Sequence, residues 1–145
     1  MEATGSVLVS SHSRSLTTLV AALGVALAAG LAAWGTFGDG GGKASDYLIV
    51  LGIIGVAAFV VFGWIVPTGL RKASAGITAL VLAALAVLTV AAFWSGLPPV
   101  LASGAIVLGL AGWNARDRAW LCRTAVVMGV FAVVADIAVY IGDMT

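Results

Sequence analysis

Tyr47 to Val66 reads YLIVLGIIGVAAFVVFGWIV, twenty residues without a charge. At 1.5 Å per residue a helix of that length is about 30 Å long, the thickness of a bilayer's hydrocarbon core. Working outward from it, comparable apolar runs occupy Leu16 to Phe37, Ala75 to Trp94, Pro98 to Trp113 and Ala119 to Ile141. The whole chain of 145 residues is 62% apolar and 9% charged, with a mean hydropathy of +1.17. Soluble domains carry roughly 25% charged residues, so a water-soluble globule is excluded. The expected fold is all-α, a polytopic transmembrane bundle of five spans over residues 16–142. A mobile cytoplasmic tail (1–15) precedes it and a short outer end (143–145) follows.

The fourth run is the shortest, its sixteen residues reaching about 24 Å, so it relies on local thinning of the bilayer or runs past Trp113. Breaks between runs carry their own chemistry. Pro67 and Gly69 are expected to stop the second span, Ser74 to cap the third, and Pro98 and Pro99 to start the fourth. Asp46 and Ser45 are expected to cap the second. An alternative treats the first span as a cleaved signal peptide, since Arg14 precedes a run containing Ala26-Leu27-Ala28. The run is long beside the roughly 7 to 15 residues usual for that role.

Arg14, Arg71, Lys72, Arg116, Arg118 and Arg123 fall on one side of this arrangement and only Lys43 on the other. By the positive-inside rule the richer side is cytoplasmic. The amino terminus is then inside and the carboxyl terminus outside, in a bacterial plasma membrane. The amphipathic aromatics agree: Trp34, Tyr47, Trp94 and Tyr140 fall at outer ends, Trp64, Trp113 and Trp120 at inner ends.

A shift of 49 residues places Gly55 on Gly104, Gly63 on Gly112 and Trp64 on Trp113. Two helical hairpins could therefore form a parallel repeat, with the first span as the extra helix. Small residues recur at helix-packing spacing: Ala22, Ala26 and Gly30 on the first span, Gly52 and Gly55 on the second, Ala105 and Gly109 on the fourth. Close backbone approach replaces the missing hydrophobic drive between helices in lipid. The first expectation is packing within the chain, the alternative a homodimer.

Asp136 is the one ionisable residue well inside a span, which makes it the default functional candidate. Depth counting puts Thr89 and Ser103 near its level. If helix rotation turns the three together they form a polar site suited to a proton or cation relay; otherwise Asp136 hydrates from outside or serves as a packing hydrogen-bond partner. Arg71, Lys72, Arg116, Arg118 and Arg123 are candidate contacts for anionic lipid headgroups and, first of all, topology determinants. The connector Gly38 to Ser45 is no phosphate loop, because Phe37 stands where its first glycine belongs and Ala44 where the magnesium-binding hydroxyl belongs. One histidine, His12, and one cysteine, Cys122, make no metal cluster and no disulfide within the chain. Cys122 reads as a packing residue. No cofactor, no catalytic residue and no nucleic-acid partner is expected; the partners are the lipid bilayer and another membrane subunit or a second copy.

The segments Ser95-Gly96-Leu97-Pro98-Pro99-Val100-Leu101, Gly112-Trp113 before a basic loop, and Tyr140-Ile141-Gly142-Asp143 resemble small multi-pass proteins of actinobacterial membranes whose function is unknown. The resemblance covers spans two to five and implies a cell-membrane location, with no activity or site residue. The small multidrug exporters are unlike it, since their first span holds a glutamate that is absent here. The leading expectation is a non-enzymatic structural, assembly or accessory subunit. Its rival is a small homo-oligomeric transporter or channel that uses Asp136 as a proton or cation site.

Overall fold

The computed structural model describes residues 3–38, 41–71, 75–114 and 119–143, and every element among them is helical. The elements are α1 (Ala3–Phe37), α2 (Ala44–Val60), α3 (Val66–Arg71), α4 (Ala75–Thr89), α5 (Leu97–Ala111) and α6 (Ala119–Asp143). A π-helical turn, Val61–Ile65, joins α2 to α3, and a 3-10 stretch, Val90–Ser95, continues α4. Four helical segments are long and apolar enough to cross a membrane: Ser15–Phe37, Ala44–Arg71, Ala75–Ala92 and Ala119–Gly142. The fifth, Leu97–Ala111, is shorter.

Several boundaries differ from those read in the sequence. Helix α1 extends back to Ala3, through the stretch read as a tail. Pro67 does not stop the second span. Its ring would collide with the Gly63 carbonyl in a regular α-helix, and it has no N–H to donate. The chain widens instead: the Val66 N–H donates to the Val61 carbonyl, five residues back, and helix continues to Arg71. Helix α2 begins at Ala44 after an extended Lys43 (φ −92°, ψ 141°), with no side-chain cap. Ser45 and Asp46 are therefore in its first turn, where Asp46 complements the helix dipole. Ser74 lies outside the described residues. The third span loses α-helical form at Val90, short of Trp94. As expected, prolines open α5, after Gly96 in the left-handed region (φ +66°).

The short α5 is the centre of the bundle. Ten of its fifteen residues are buried, from Pro98 to Gly109, whereas Ile54 is the one buried residue of α2. Helices α4, α5 and α6 pack tightest against one another, and α1 lies along α5 with α2 outside it. Small residues set these distances. A Cβ on Gly109 would meet Val126 Cγ2 at 2.6 Å, one on Gly129 would meet Ile106 Cγ1 at 3.0 Å, and one on Gly104 would meet Leu82 Cδ1 at 3.3 Å. Gly109 opposite Val126 and Ala102 opposite Gly129 make α5 and α6 antiparallel. Leu82 opposite Gly104, with Ala86 and Ala102 in one cluster, does the same for α4 and α5.

Opposite environments hold the residues matched by the 49-residue shift. A Cβ on Gly104 would meet Val61 Cγ1 and Leu82 Cδ1 and one on Gly112 would meet Cys122 Sγ, whereas one on Gly55 would meet nothing within 4 Å and one on Gly63 only Phe59 of its own helix at 3.8 Å; Gly52 is as open as Gly55. The exposed stripe of α1 carries Ala22, Ala26 and Gly30, and its inward face carries Gly24, Ala28 and Ala32. Of the small-residue notches, only that of α5 packs within the chain.

Candidate functional site

Asp136 occupies the inward face of α6 and is 1% exposed. Neither carboxylate oxygen has a hydrogen-bond partner among the described residues. Sequence spacing explains the placement: Gly129, Ala132, Asp136 and Tyr140 recur every three or four residues, so one helical face carries them all. All four are buried. A hydrogen-bonded packing contact of Asp136 is not found among the described residues.

The two hydroxyls expected beside Asp136 are turned to their own helices. Thr89 Oγ1 donates to the carbonyls of Leu85 (2.8 Å) and Ala86 (3.0 Å). Ser103 Oγ donates to the carbonyls of Pro99 and of Val100 (3.2 Å), and it faces α1 so closely that a Cβ on Gly24 would overlap it. No hydrogen bond links either hydroxyl to Asp136. Serine and threonine in helices satisfy themselves on the preceding turn, which depth counting does not reveal.

Tyr140, near the end of α6, is buried. It lies one turn beyond Asp136 on the same face, and a Cβ on Gly35 would come within 3.0 Å of its ring. Tyr47 anchors the opposite hairpin: its hydroxyl donates to the Ala29 carbonyl at 3.4 Å, and its ring meets Phe37 edge-on at 5.4 Å. Trp34, Trp64, Trp113 and Trp120 are exposed.

At the other end of the bundle, Arg71 and Arg123 are exposed. The Arg123 guanidinium stacks over the Trp113 ring at 5.5 Å, a cation–π contact that joins the end of α5 to the start of α6. Lys72, Arg116 and Arg118 lie outside the described residues. Cys122 is buried against Gly109 and Gly112, as a packing thiol. A cleft of about 170 Å³ between α1 and α5, lined by Leu16, Thr17, Val20, Val107, Leu110 and Ala111, holds no ionisable side chain. Among the described residues no group of three or more His, Cys, Asp or Glu could hold a metal ion. The chain matches no protein-family model, no curated protein and no solved structure.

Proposed function

We propose that the protein crosses a bacterial plasma membrane five times, with its amino terminus in the cytoplasm and its carboxyl terminus outside. In that setting it works as a non-enzymatic structural, assembly or accessory subunit. The observation that carries this reading is the outward stripe Ala22, Ala26 and Gly30, with nothing within 4 Å of a Cβ on Gly30. Lipid tails need no such notch, whereas a helix of another subunit gains close backbone contact from it. Minimal soluble surface and the resemblance to actinobacterial membrane proteins fit the same setting.

Native mass spectrometry of the protein in mild detergent tests it. A foreign subunit in stoichiometric amount is expected, and Ala26→Leu with Gly30→Leu releases it without unfolding the bundle. A bare monomer, or a partner indifferent to those changes, overturns the reading.

A second reading is favoured by Asp136, buried and without a hydrogen-bond partner among the described residues. Intramembrane acids of this kind mark ion and proton pathways, and the chain would then be a small homo-oligomeric transporter or channel. In liposomes, Asp136→Asn is expected to abolish cation or proton flux. Flux that survives Asp136→Asn removes that reading.

A further inference from the structure

Among the described residues no donor reaches either carboxylate oxygen of Asp136. Ala86, Ala102 and Ala132 meet in one buried cluster, with Val90 packed against it. Since α5 is antiparallel to both α4 and α6, the latter two run parallel. One turn beyond the cluster therefore brings Val90 of α4, Pro98 of α5 and Asp136 of α6 to one level.

Val90 opens the 3-10 stretch, whose backbone leaves helical geometry at Ala92 (φ −116°, ψ 46°) and which packs against α6. An interrupted helix turns carbonyl oxygens away from regular i to i+4 bonding; here the Ala92 carbonyl accepts from the Ser95 hydroxyl at 2.7 Å, which leaves the other carbonyls of the stretch as candidate ligands. Pro98 and Pro99 are buried and have no N–H, so those positions of the α5 first turn offer a carboxylate no donor. No basic residue occurs in α2, α4, α5 or residues 15–37, and Arg123 is thirteen residues back on α6, about 20 Å away. Tyr140 is the other titratable side chain on this face. Thr89, the nearest hydroxyl by register on α4, is committed to its own backbone.

We propose that Asp136 is the anionic ligand of a monovalent-cation site, its coordination completed by carbonyl oxygens of the interrupted stretch Val90–Ser95. The proposal rests on the transport reading and names the ligand that reading lacks. Oxygen acceptors suit a hard cation. A single carboxylate balances one positive charge, and an uncompensated second charge in so dry a site is costly.

The test uses the full chain in lipid nanodiscs and dicyclohexylcarbodiimide, an apolar reagent that modifies carboxyl groups within membranes. Mass spectrometry of peptides follows the label on Asp136. In choline chloride at fixed pH, Asp136 is expected to be labelled. Sodium, lithium or potassium chloride at equal ionic strength is expected to slow labelling about tenfold once the cation is present at about ten times its Kd, following 1 + [L]/Kd. The most protective cation identifies the ion.

Equal rates in all four salts overturn the proposal, and so does a complete absence of label, since a site that never opens exchanges no ion. Protection in nanodiscs without flux in liposomes keeps the site and removes the transport reading. Flux without protection does the reverse.

Discussion

Gly96 and Asp136 share one end of the bundle, and at each a few atoms decide the outcome. Gly96 holds a left-handed φ of +66°, and a Cβ there would come within 2.6 Å of Ile54 Cδ1, itself buried. Gly96→Ala is expected to cost about 1–2 kcal/mol from the left-handed backbone alone, with the collision added, and to lower the thermal unfolding midpoint in detergent. Asp136→Asn removes a charge while keeping the shape. Measured in choline salt, it is expected to raise that midpoint, because the amide stays polar but leaves no buried charge to desolvate. An unchanged midpoint would mean that the carboxylate is compensated in the folded protein. Asp136 is legible in the sequence because no other ionisable residue stands so far inside an apolar run. Its supposed companions are not, because rotation about a helix axis is fixed by packing: Gly24 draws Ser103 toward α1, and Thr89 turns back on its own turn.

At the scale of elements, proline acts in two ways. Pro98 and Pro99 fall in the first turn of α5, where a missing N–H is harmless, and the sequence predicts this start. Pro67 sits inside a helix and is absorbed by the π turn at Val61–Ile65. Pro67→Ala restores the N–H and lets the turn close to α geometry. That change rotates α3 by about 100° and pulls Val66 and Gly69 from their buried positions. A lower unfolding midpoint is expected, by roughly 1–2 kcal/mol for packing lost at Val66. If the midpoint holds, packing and not proline maintains the wide turn. Pro67 marks a break in the sequence but not that a π turn absorbs it, and the early end of α4 has no signature in the residues concerned. The 3-10 stretch follows from the chain having to reach the left-handed Gly96, and last turns commonly tighten in this way.

At the scale of the molecule, the apolar runs predict helices but not their order about the centre. Lipid-facing and core-facing side chains are equally apolar, so no stripe distinguishes the two faces. The shortest run therefore gives no sign of its central place except its density of small residues, Ala102 to Ala105 and Gly109. The proposed topology is open to a direct check in a Cys122→Ala background. Lys43→Cys is expected to react with a membrane-impermeant maleimide on intact cells, and Arg71→Cys only after permeabilisation. The reverse pattern would invert the molecule and place Asp136 at the cytoplasmic end.

The central position of α5 also bears on how the protein is made. Helix α6, which covers Ala102, Ile106 and Gly109, is synthesised after α5. At about 5–20 residues per second, the 32 residues from Ala111 to Asp143 take about 2–6 seconds to synthesise. During that interval a helix too short to cross on its own, with one face bare, has to shelter in the insertion machinery or enter the membrane together with α6 as a hairpin.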